Sequence, residues 1–222
     1  VFGMVDEDQP GFEGFEETYR KAVELILRAQ NLPKAPAEVG GWRYEANSAD
    51  SDLSVVGWQL LALRAAFSNS LAVPRNSIDA AVQYIKRCAA PEGGFGYQPG
   101  GQVTPGRTGI GILCLQICGA LEAPEVRRGG DFLLTTPAQP SGRYFYYGLY
   151  YATQGMYQLG GKHWSEWQKR VEPLLLASQL PDGSWPAAAG DDRETTAGSA
   201  YVTAMAVQAL TVSYRLLPIY QR

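Results

Sequence analysis

Charged side chains collect in the loops before the apolar, helix-length segments of this sequence, and they are the first candidates for chemistry. They are Asp50, Asp52, Arg107, Arg143, Asp191, Asp192, Arg193 and Glu194. If the N-termini of these helices open at one end of the domain, their positive dipole ends would favour anions or carboxylates there. The simpler interpretation is that the acids cap the helices, since Asp is a preferred N-cap residue.

A second group of candidates is aromatic and lies between residues 144 and 159. Its rings belong to Tyr144, Phe145, Tyr146, Tyr147, Tyr150, Tyr151 and Tyr157. Four of the tyrosines are spaced to cover adjacent faces of a helix, so some of them must point inward. They could form an ordinary core with satisfied hydroxyl groups, or they could line a wide apolar cavity that suits a lipid-like ligand.

These candidates lie among helix-length segments that alternate in character along the chain. One class is amphipathic and charged on one face: 16–30, 75–89, 125–135 and 165–179. The other class carries almost no charge: 53–67, 107–121, 144–159 and 195–214. A helix with a charged stripe can face water, whereas a helix without charge must be enclosed. The pattern predicts an all-α fold with one class outside and the other inside.

Turns that pair glycine with an aromatic residue recur between the segments. The aromatic residues are Trp42, Phe95, Tyr144 and Trp185, at intervals of 53, 49 and 41 residues. Periods of this length are typical of helical-hairpin repeats, which form a solenoid or a closed ring. The enclosed inner helices favour the ring, because an open solenoid leaves one face in contact with water.

The fourth turn carries the most specific motif, with Gln179, Gly183 and Trp185 in the spacing Q-x-x-x-G-x-W. This motif resembles the QW repeat of squalene and oxidosqualene cyclases, and the GGF turn at 93–95 resembles those of protein prenyltransferase β subunits. The resemblance implies an α/α toroid over residues 16–215, with an extended arm at 1–15 and a tail at 216–222.

The ring predicted in this way is incomplete. Toroids of this kind usually contain about six hairpins, whereas the sequence supplies about four. The exposed flanks of the inner helices would form a large apolar patch. A second copy of the chain, the remainder of a longer protein, or the arm and tail could cover it.

The resemblance also implies a candidate chemistry. Class II terpene cyclases carry a D-x-D-D-T signature whose middle acid protonates an alkene or epoxide, and the matching stretch here runs from Asp50 to Ser54. Asp52 would then be the general acid with Asp50 beside it, although Leu53 replaces the last aspartate. Prenyltransferases instead use zinc held by Asp, Cys and His. This chain has one histidine, His163, so we expect no metal site and no cofactor.

Composition limits the partners and the location. The chain has 222 residues, of which 45% are hydrophobic, and a net charge of −3 without a run of like charge. We therefore expect no nucleic-acid partner. The longest apolar run, Thr108–Leu121, is shorter than the roughly 20 residues that cross a bilayer. Three cysteines do not form a disulfide framework, and no secretory signal is visible. A cytoplasmic or peripheral membrane location is favoured over secretion.

Three functions remain open at this point. The first is a toroid domain that binds a hydrophobic, isoprenoid-like ligand or a protein partner. The second is a terpene cyclase of the squalene–hopene type that uses Asp52 as its acid, and the third is an architectural repeat module without catalysis. The predicted ligand-binding residues are Trp42, Trp58, Arg107, Arg143, Tyr146, Tyr147, Tyr150, Tyr151, Asp191 and Asp192.

Overall fold

A computed structural model describes residues 14–136 and 142–214, and the predicted all-α fold is confirmed in this part of the chain. The described residues form nine α-helices and a short 3-10 helix at Val212–Tyr214. In chain order the α-helices are α1 (Phe15–Gln30), α2 (Leu53–Ser68), α3 (Arg75–Arg87), α4 (Pro105–Ile117), α5 (Pro124–Thr135), α6 (Phe145–Leu159), α7 (Gly161–Ser178), α8 (Asp192–Ala197) and α9 (Ser199–Leu210).

Burial separates helices α1 to α7 into the two classes that the charge pattern predicts, whereas α9, which the pattern predicts to be enclosed, buries only Val202, Ala206 and Ala209. In α1 the buried residues are Val23 and Gln30, so most of that helix faces water. In α4 every residue from Thr108 to Gln116 is buried, and α6 is buried continuously from Gly148 to Met156. Because α4 and α6 carry no charged residue in these stretches, enclosing them leaves no charge without solvent.

The inner helices form a row in chain order. Helix α4 packs between α2 and α6, and α6 also packs against α9. The outer helices α1, α3, α5 and α7 each contact an inner helix. Among the described residues, α2 and α9 form the two ends of the row and share no extensive contact. The row therefore has two ends that the described helices leave unjoined.

Glycines hold α4 and α6 close together at the centre of the row. A Cβ added to Gly106 would lie 2.7 Å from the Cα of Gly148. A Cβ on Gly109 would overlap the backbone of Ala152. Only residues without a large side chain permit two helix backbones to approach this closely. This contact fixes the position of the first turn of α6, which carries the tyrosines.

The turns before α4 and before α8 share one geometry. In the first, the N–H of Ala90 donates to the Gly94 carbonyl at 3.0 Å and Gly93 donates back to Ala90 at 3.1 Å. In the second, Leu180 donates to Ser184 at 2.8 Å and Gly183 donates back to Leu180 at 2.9 Å. The next residue in each case, Phe95 or Trp185, is buried, and its N–H donates to a threonine hydroxyl at 3.1 Å.

The two tryptophan turns also share their side-chain contacts. The indole N–H of Trp42 donates to the Ile26 carbonyl at 2.7 Å, and that of Trp185 donates to the Leu175 carbonyl at 2.8 Å. The amides of Gln30 and Gln179 donate to the carbonyl of the turn glycine at 2.9 and 3.0 Å. The glutamine therefore ties the end of an outer helix to its own turn, and the aromatic ring packs behind it.

The third turn does not follow this geometry, contrary to the sequence prediction. Tyr144 is 45% exposed and has a positive φ of 59°. Helix α6 begins immediately after it, whereas about ten residues separate Phe95 from α4. Tyr144 is thus the N-cap of α6 rather than a buried turn aromatic. The preceding residues, 137–141, lie outside the described part of the chain.

The last inner helix is also broken, where the sequence predicts one helix over 195–214. Helix α8 ends at Ala197 and α9 begins at Ser199, with Gly198 between them at a φ of 88°. That conformation is readily adopted by glycine and interrupts a helix. The predicted arm, 1–15, falls outside the described residues except for its last two, and Phe15 already belongs to α1. The predicted tail, 216–222, lies entirely outside them.

Candidate functional site

Asp52 begins the inner helix α2 and is completely buried. Its Oδ1 accepts a hydrogen bond from the Val55 N–H at 3.0 Å, which caps the helix. Its own N–H donates to the Trp42 carbonyl at 2.9 Å. The sequence predicted a carboxylate at this helix terminus, and the structure places one there in the geometry of an N-cap.

Arg43 supplies the second partner of Asp52, and the sequence interpretation missed it. Its Nη1 lies 2.9 Å from Asp52 Oδ2, and its Nε lies 3.3 Å from Asp50 Oδ2. The guanidinium stacks on the rings of Tyr44 and Tyr97, 5.2 and 5.3 Å from their centroids. We call Arg43, Tyr44, Asp50, Asp52 and Tyr97 the Asp52 cluster. The signal in the sequence that could have revealed this partner is Arg43 itself, a charged residue directly after the turn tryptophan Trp42.

The Asp52 cluster joins the first two hairpins. The Tyr97 carbonyl accepts the N–H of Leu53 at 2.9 Å, and the Gln98 amide donates to the Ser51 carbonyl at 2.9 Å. Arg107 stacks over the other side of the cluster, 5.3 Å from the Tyr97 centroid. Its Nη1 donates to the Gln102 carbonyl at 2.8 Å. The predicted site residues Asp50, Asp52 and Arg107 therefore do lie together, in a network that connects two turns.

A second polar group lies at the N-terminus of α6. Asp191 Oδ1 accepts the N–H groups of Arg193 and Glu194 at 3.0 and 3.2 Å, and its Oδ2 accepts that of Tyr144. Glu194 Oε1 accepts the N–H groups of Tyr146 and Tyr147 at 2.7 and 3.3 Å. Two carboxylates from the α8 region thus cap α6, where the helix dipole favours negative charge.

Glu194 is almost fully buried in this second group. The residue is 1% exposed, and a backbone hydrogen bond from Ala188 acts on its carboxylate in addition to those from Tyr146 and Tyr147. Burial raises the pKa of Glu194, although the N–H groups of Tyr146 and Tyr147 oppose the shift. Burial likewise raises the pKa of Tyr201 to about 12, with the charge of Glu194 adding to it.

Aromatic rings connect α2 to the first two turns of α6. Trp58 meets Tyr151 edge to face with centroids 6.4 Å apart, and Tyr151 lies 4.8 Å from Tyr147 and 5.1 Å from Tyr150. Tyr147 in turn meets Tyr144 at 6.3 Å. We call these five residues the aromatic face. Trp58 is 56% exposed and Tyr144 is also exposed, while Tyr150 and Tyr151 are buried beneath them.

Several predicted ligand-binding residues lie apart from the aromatic face. Trp42 is buried in the core behind its turn. Tyr146 is buried and packs edge to face on Phe145, 4.9 Å away. Arg143 and Asp192 are exposed side chains on the surface. Of the predicted set, Trp58, Tyr147, Tyr150 and Tyr151 are the residues that contact one another.

Neither a cluster of metal-ligand side chains nor a membrane-spanning helix is present in residues 14–136 and 142–214. No three His, Cys, Asp or Glu side chains there are grouped so that they could hold a metal ion. His163 pairs with Asp131 at 2.8 Å, on the outer side of the fold between α5 and α7. Within the same residues, none of the helices is both apolar and long enough to cross a bilayer.

The polar and aromatic groups lie around the N-terminal halves of α2 and α6, where Asp52 caps α2, Glu194 caps α6, and Trp58 meets Tyr151. Sequence comparison with protein-family models and with curated proteins gave no match.

Proposed function

We propose that this chain is part of an α/α toroid whose aromatic face binds a hydrophobic, isoprenoid-like ligand. The ordered row of inner helices with charged helices outside supports the toroid. So do the two turns of equal geometry at Phe95 and Trp185. The contact between Trp58 and Tyr151 brings the first halves of α2 and α6 together at the aromatic face.

The observation that carries the binding proposal is the exposed Trp58 packed against the buried Tyr151, with the exposed Tyr144 in the same set of rings. An exposed indole that meets a buried tyrosine edge to face presents a large apolar surface with fixed geometry. Such rings bind apolar chains through their faces and offer hydroxyl groups for orientation. The flexible chain of an isoprenoid would cover Trp58 and Tyr147 and so remove apolar surface from water.

Binding fits the geometry better than alkene protonation by Asp52. Both carboxyl oxygens of Asp52 accept hydrogen bonds, from Val55 and from Arg43. An acid that protonates an alkene must instead present its own proton to the substrate. In the arrangement here the side chain caps α2 and holds Arg43 between Tyr44 and Tyr97.

Isothermal titration with farnesol, below the concentration at which it aggregates, tests the proposal. The Trp58→Ala variant should weaken binding by about tenfold, since an apolar contact of this size contributes about 1.5 kcal/mol. Phe67→Ala is the matched control, because Phe67 is an exposed ring at the opposite end of the same helix. Its affinity should stay within about twofold of the parent.

Two results would contradict the proposal. One is the absence of farnesol binding to the parent protein. The other is an equal loss of affinity in the two variants, which would show that farnesol binds exposed apolar side chains without selecting the aromatic face. Turnover of squalene that depends on Asp52 would instead favour a cyclase.

A further inference from the structure

The first two turn glycines are each covered by the outer helix that follows them in the chain. A Cβ added to Gly40 would lie 2.2 Å from the carbonyl oxygen of Ala80 in α3, and one added to Gly93 would lie 2.8 Å from that of Arg128 in α5. At Gly183, the glycine of the last turn, no described atom lies within 4 Å of such a Cβ. Among the described residues, no outer helix therefore lies over the last turn.

The glutamines of the first and last turns differ in the same way. The Gln30 amide donates to the Gly40 carbonyl at 2.9 Å and also to the Ser77 carbonyl in the first turn of α3 at 2.8 Å. The Gln179 amide donates to the Gly183 carbonyl at 3.0 Å, and within the described chain no second acceptor contacts it. Gln30 is buried and Gln179 is exposed. The contact that α3 makes with Gln30 thus has no described counterpart at Gln179.

Helix α9 repeats α4 but leaves one face exposed. The turn threonines Thr108 and Thr203 set the two helices in register, so that Val207 of α9 aligns with Ile112 of α4. Ile112 is completely buried against α5 and α6, whereas Val207 is 43% exposed and Ala204 is exposed beside it. The α9 surface is the name we give to Gln179, Gly183, Ala204 and Val207. In the earlier repeats the following hairpin covers the equivalent positions.

Helix α1 exposes a stripe that α3 buries. Residues 22–26 read AVELI and residues 81–85 read AVQYI, which aligns the two helices. In α3 the stripe is buried where the helix packs on the first turn, and it consists of Ser77, Ala81 and Tyr84. The aligned residues of α1, which we call the α1 stripe, are exposed, and they are Thr18, Ala22 and Leu25. Helix α1 therefore presents the surface with which an outer helix covers the preceding turn.

An arginine lies at the same place on both helices. Arg87 at the end of α3 donates to the carbonyls of Ala37 and Val39 in the first turn. Arg28 holds the aligned position in α1, where its side chain is 68% exposed. Asp182 holds the position of Val39 in the last turn, directly before the turn glycine. An arginine placed over the last turn as Arg87 is placed over the first would thus meet a carboxylate, which strengthens the contact.

We propose that the α1 stripe of a second copy of this chain docks on the α9 surface, so that copies associate head to tail. The copy's α1 lies over the last turn as α3 lies over the first, with the Thr18 carbonyl accepting from the Gln179 amide and Arg28 facing Asp182. Its α2 packs beside Val207. The interface continues a contact that the chain already makes between its own hairpins, and it does not require a ligand at the aromatic face. Because it joins two different surfaces, it is heterologous.

Sedimentation equilibrium of the purified chain over a wide range of concentration measures this association. The parent should form species larger than the monomer as its concentration rises. Leu25→Glu in the α1 stripe and Val207→Glu in the α9 surface should each weaken association at least about tenfold, because a carboxylate would be buried in the interface. Both side chains are exposed in the monomer, so each variant should remain folded, and circular dichroism checks that it does.

An equal mixture of the two variants tests the head-to-tail geometry. Each variant keeps one surface intact, so the mixture should form a heterodimer and nothing larger at concentrations where each variant alone is monomeric. Leu121→Glu is the matched control, because Leu121 is 39% exposed outside both surfaces, and it should associate like the parent.

Four results would overturn the proposal. A parent that stays monomeric at every concentration would show that something other than a second copy covers the α9 surface. Association that survives in either variant would show that copies meet elsewhere. A mixture that stays monomeric would exclude the head-to-tail geometry, and an equal loss of association in Leu121→Glu would show that any added charge disperses the copies.

Discussion

Arg43 and Asp52 form an ion pair of 2.9 Å in which the carboxylate is fully buried and the guanidinium is held between two tyrosine rings. The side chain of Arg43 is 26% exposed. Removing Arg43 would therefore leave a buried, unpaired carboxylate, whereas removing Asp52 would leave a partly exposed guanidinium. A buried carboxylate without a counter-ion costs far more than a guanidinium that can still reach water.

This difference predicts the order of two substitutions. Arg43→Ala should reduce the free energy of unfolding by about 3 kcal/mol, since it leaves Asp52 buried and unpaired. Asp52→Asn should cost only about 1 kcal/mol, because asparagine is itself a good N-cap and the charge disappears with its burial cost. Denaturation in urea followed by circular dichroism measures both. The double variant should cost less than the sum of the two, and simple additivity would show that the pair is not coupled.

Replacing Gly109 with alanine should change stability in the direction opposite to that usual for a glycine in a helix. Alanine normally stabilises a helix relative to glycine by about 1 kcal/mol. At Gly109 the added Cβ would overlap the backbone of Ala152, so Gly109→Ala should destabilise the protein by about 1–3 kcal/mol. Thermal unfolding measures the change. A rise in the melting temperature would mean that α4 and α6 are not packed as closely as the structure shows.

The raised pKa of Glu194 predicts how the free energy of unfolding changes with pH. Burial raises its pKa in the folded protein, so the folded state binds a proton more readily than the unfolded state. Its contribution to stability is greatest below the unfolded pKa of about 4.3 and is lost as the pH rises through the folded value. Glu194→Gln should therefore gain stability relative to the parent between about pH 4 and pH 7.

The comparison is made by urea denaturation of the two proteins across that range. Tyr146 and Tyr201, which lie near Glu194, do not titrate there because burial raises the pKa of both above its usual value. A difference between the two proteins that stays constant with pH would contradict a raised pKa for Glu194.

The cysteines should be nearly inert in the folded protein. Burial raises the pKa of Cys88 and of Cys118 to about 12, and that of Cys114 well above its usual range. Near pH 8 iodoacetamide should react at least about a hundredfold more slowly with the native than with the unfolded protein, because the thiolate is the reactive form. Mass spectrometry of the labelled protein measures the rates. Rapid native labelling would show that α3 and α4 open readily.

The sequence was sufficient to predict most of the helices and, from α1 to α7, the class to which each belongs. Charge periodicity separated the outer from the inner helices, since a charged side chain cannot be enclosed without a partner. The boundary of α2 at Leu53 was predicted correctly because Asp52 is a strong N-cap signal.

The remaining features depend on contacts between residues that are distant in sequence. The pairing of Arg43 with Asp52 requires the turn to fold back, and the cap of α6 comes from Glu194, which lies 48 residues beyond Tyr146. The role of Tyr144 was predicted incorrectly because its short motif resembles the other turns, although the spacing to the next helix differs. The break at Gly198 went unrecognised because the surrounding segment is uniformly uncharged from Thr195 onward.

The most direct test of the ligand-binding account is photolabelling with a farnesol analogue that carries a diazirine on its chain. Peptide mapping by mass spectrometry identifies the labelled residues, and excess farnesol tests whether labelling is specific. The account predicts label in α2 around Trp58 and in the first two turns of α6 around Tyr147 and Tyr151, removed by competition. Label confined to the outer helices α1, α3, α5 and α7, or label that farnesol does not displace, would contradict it.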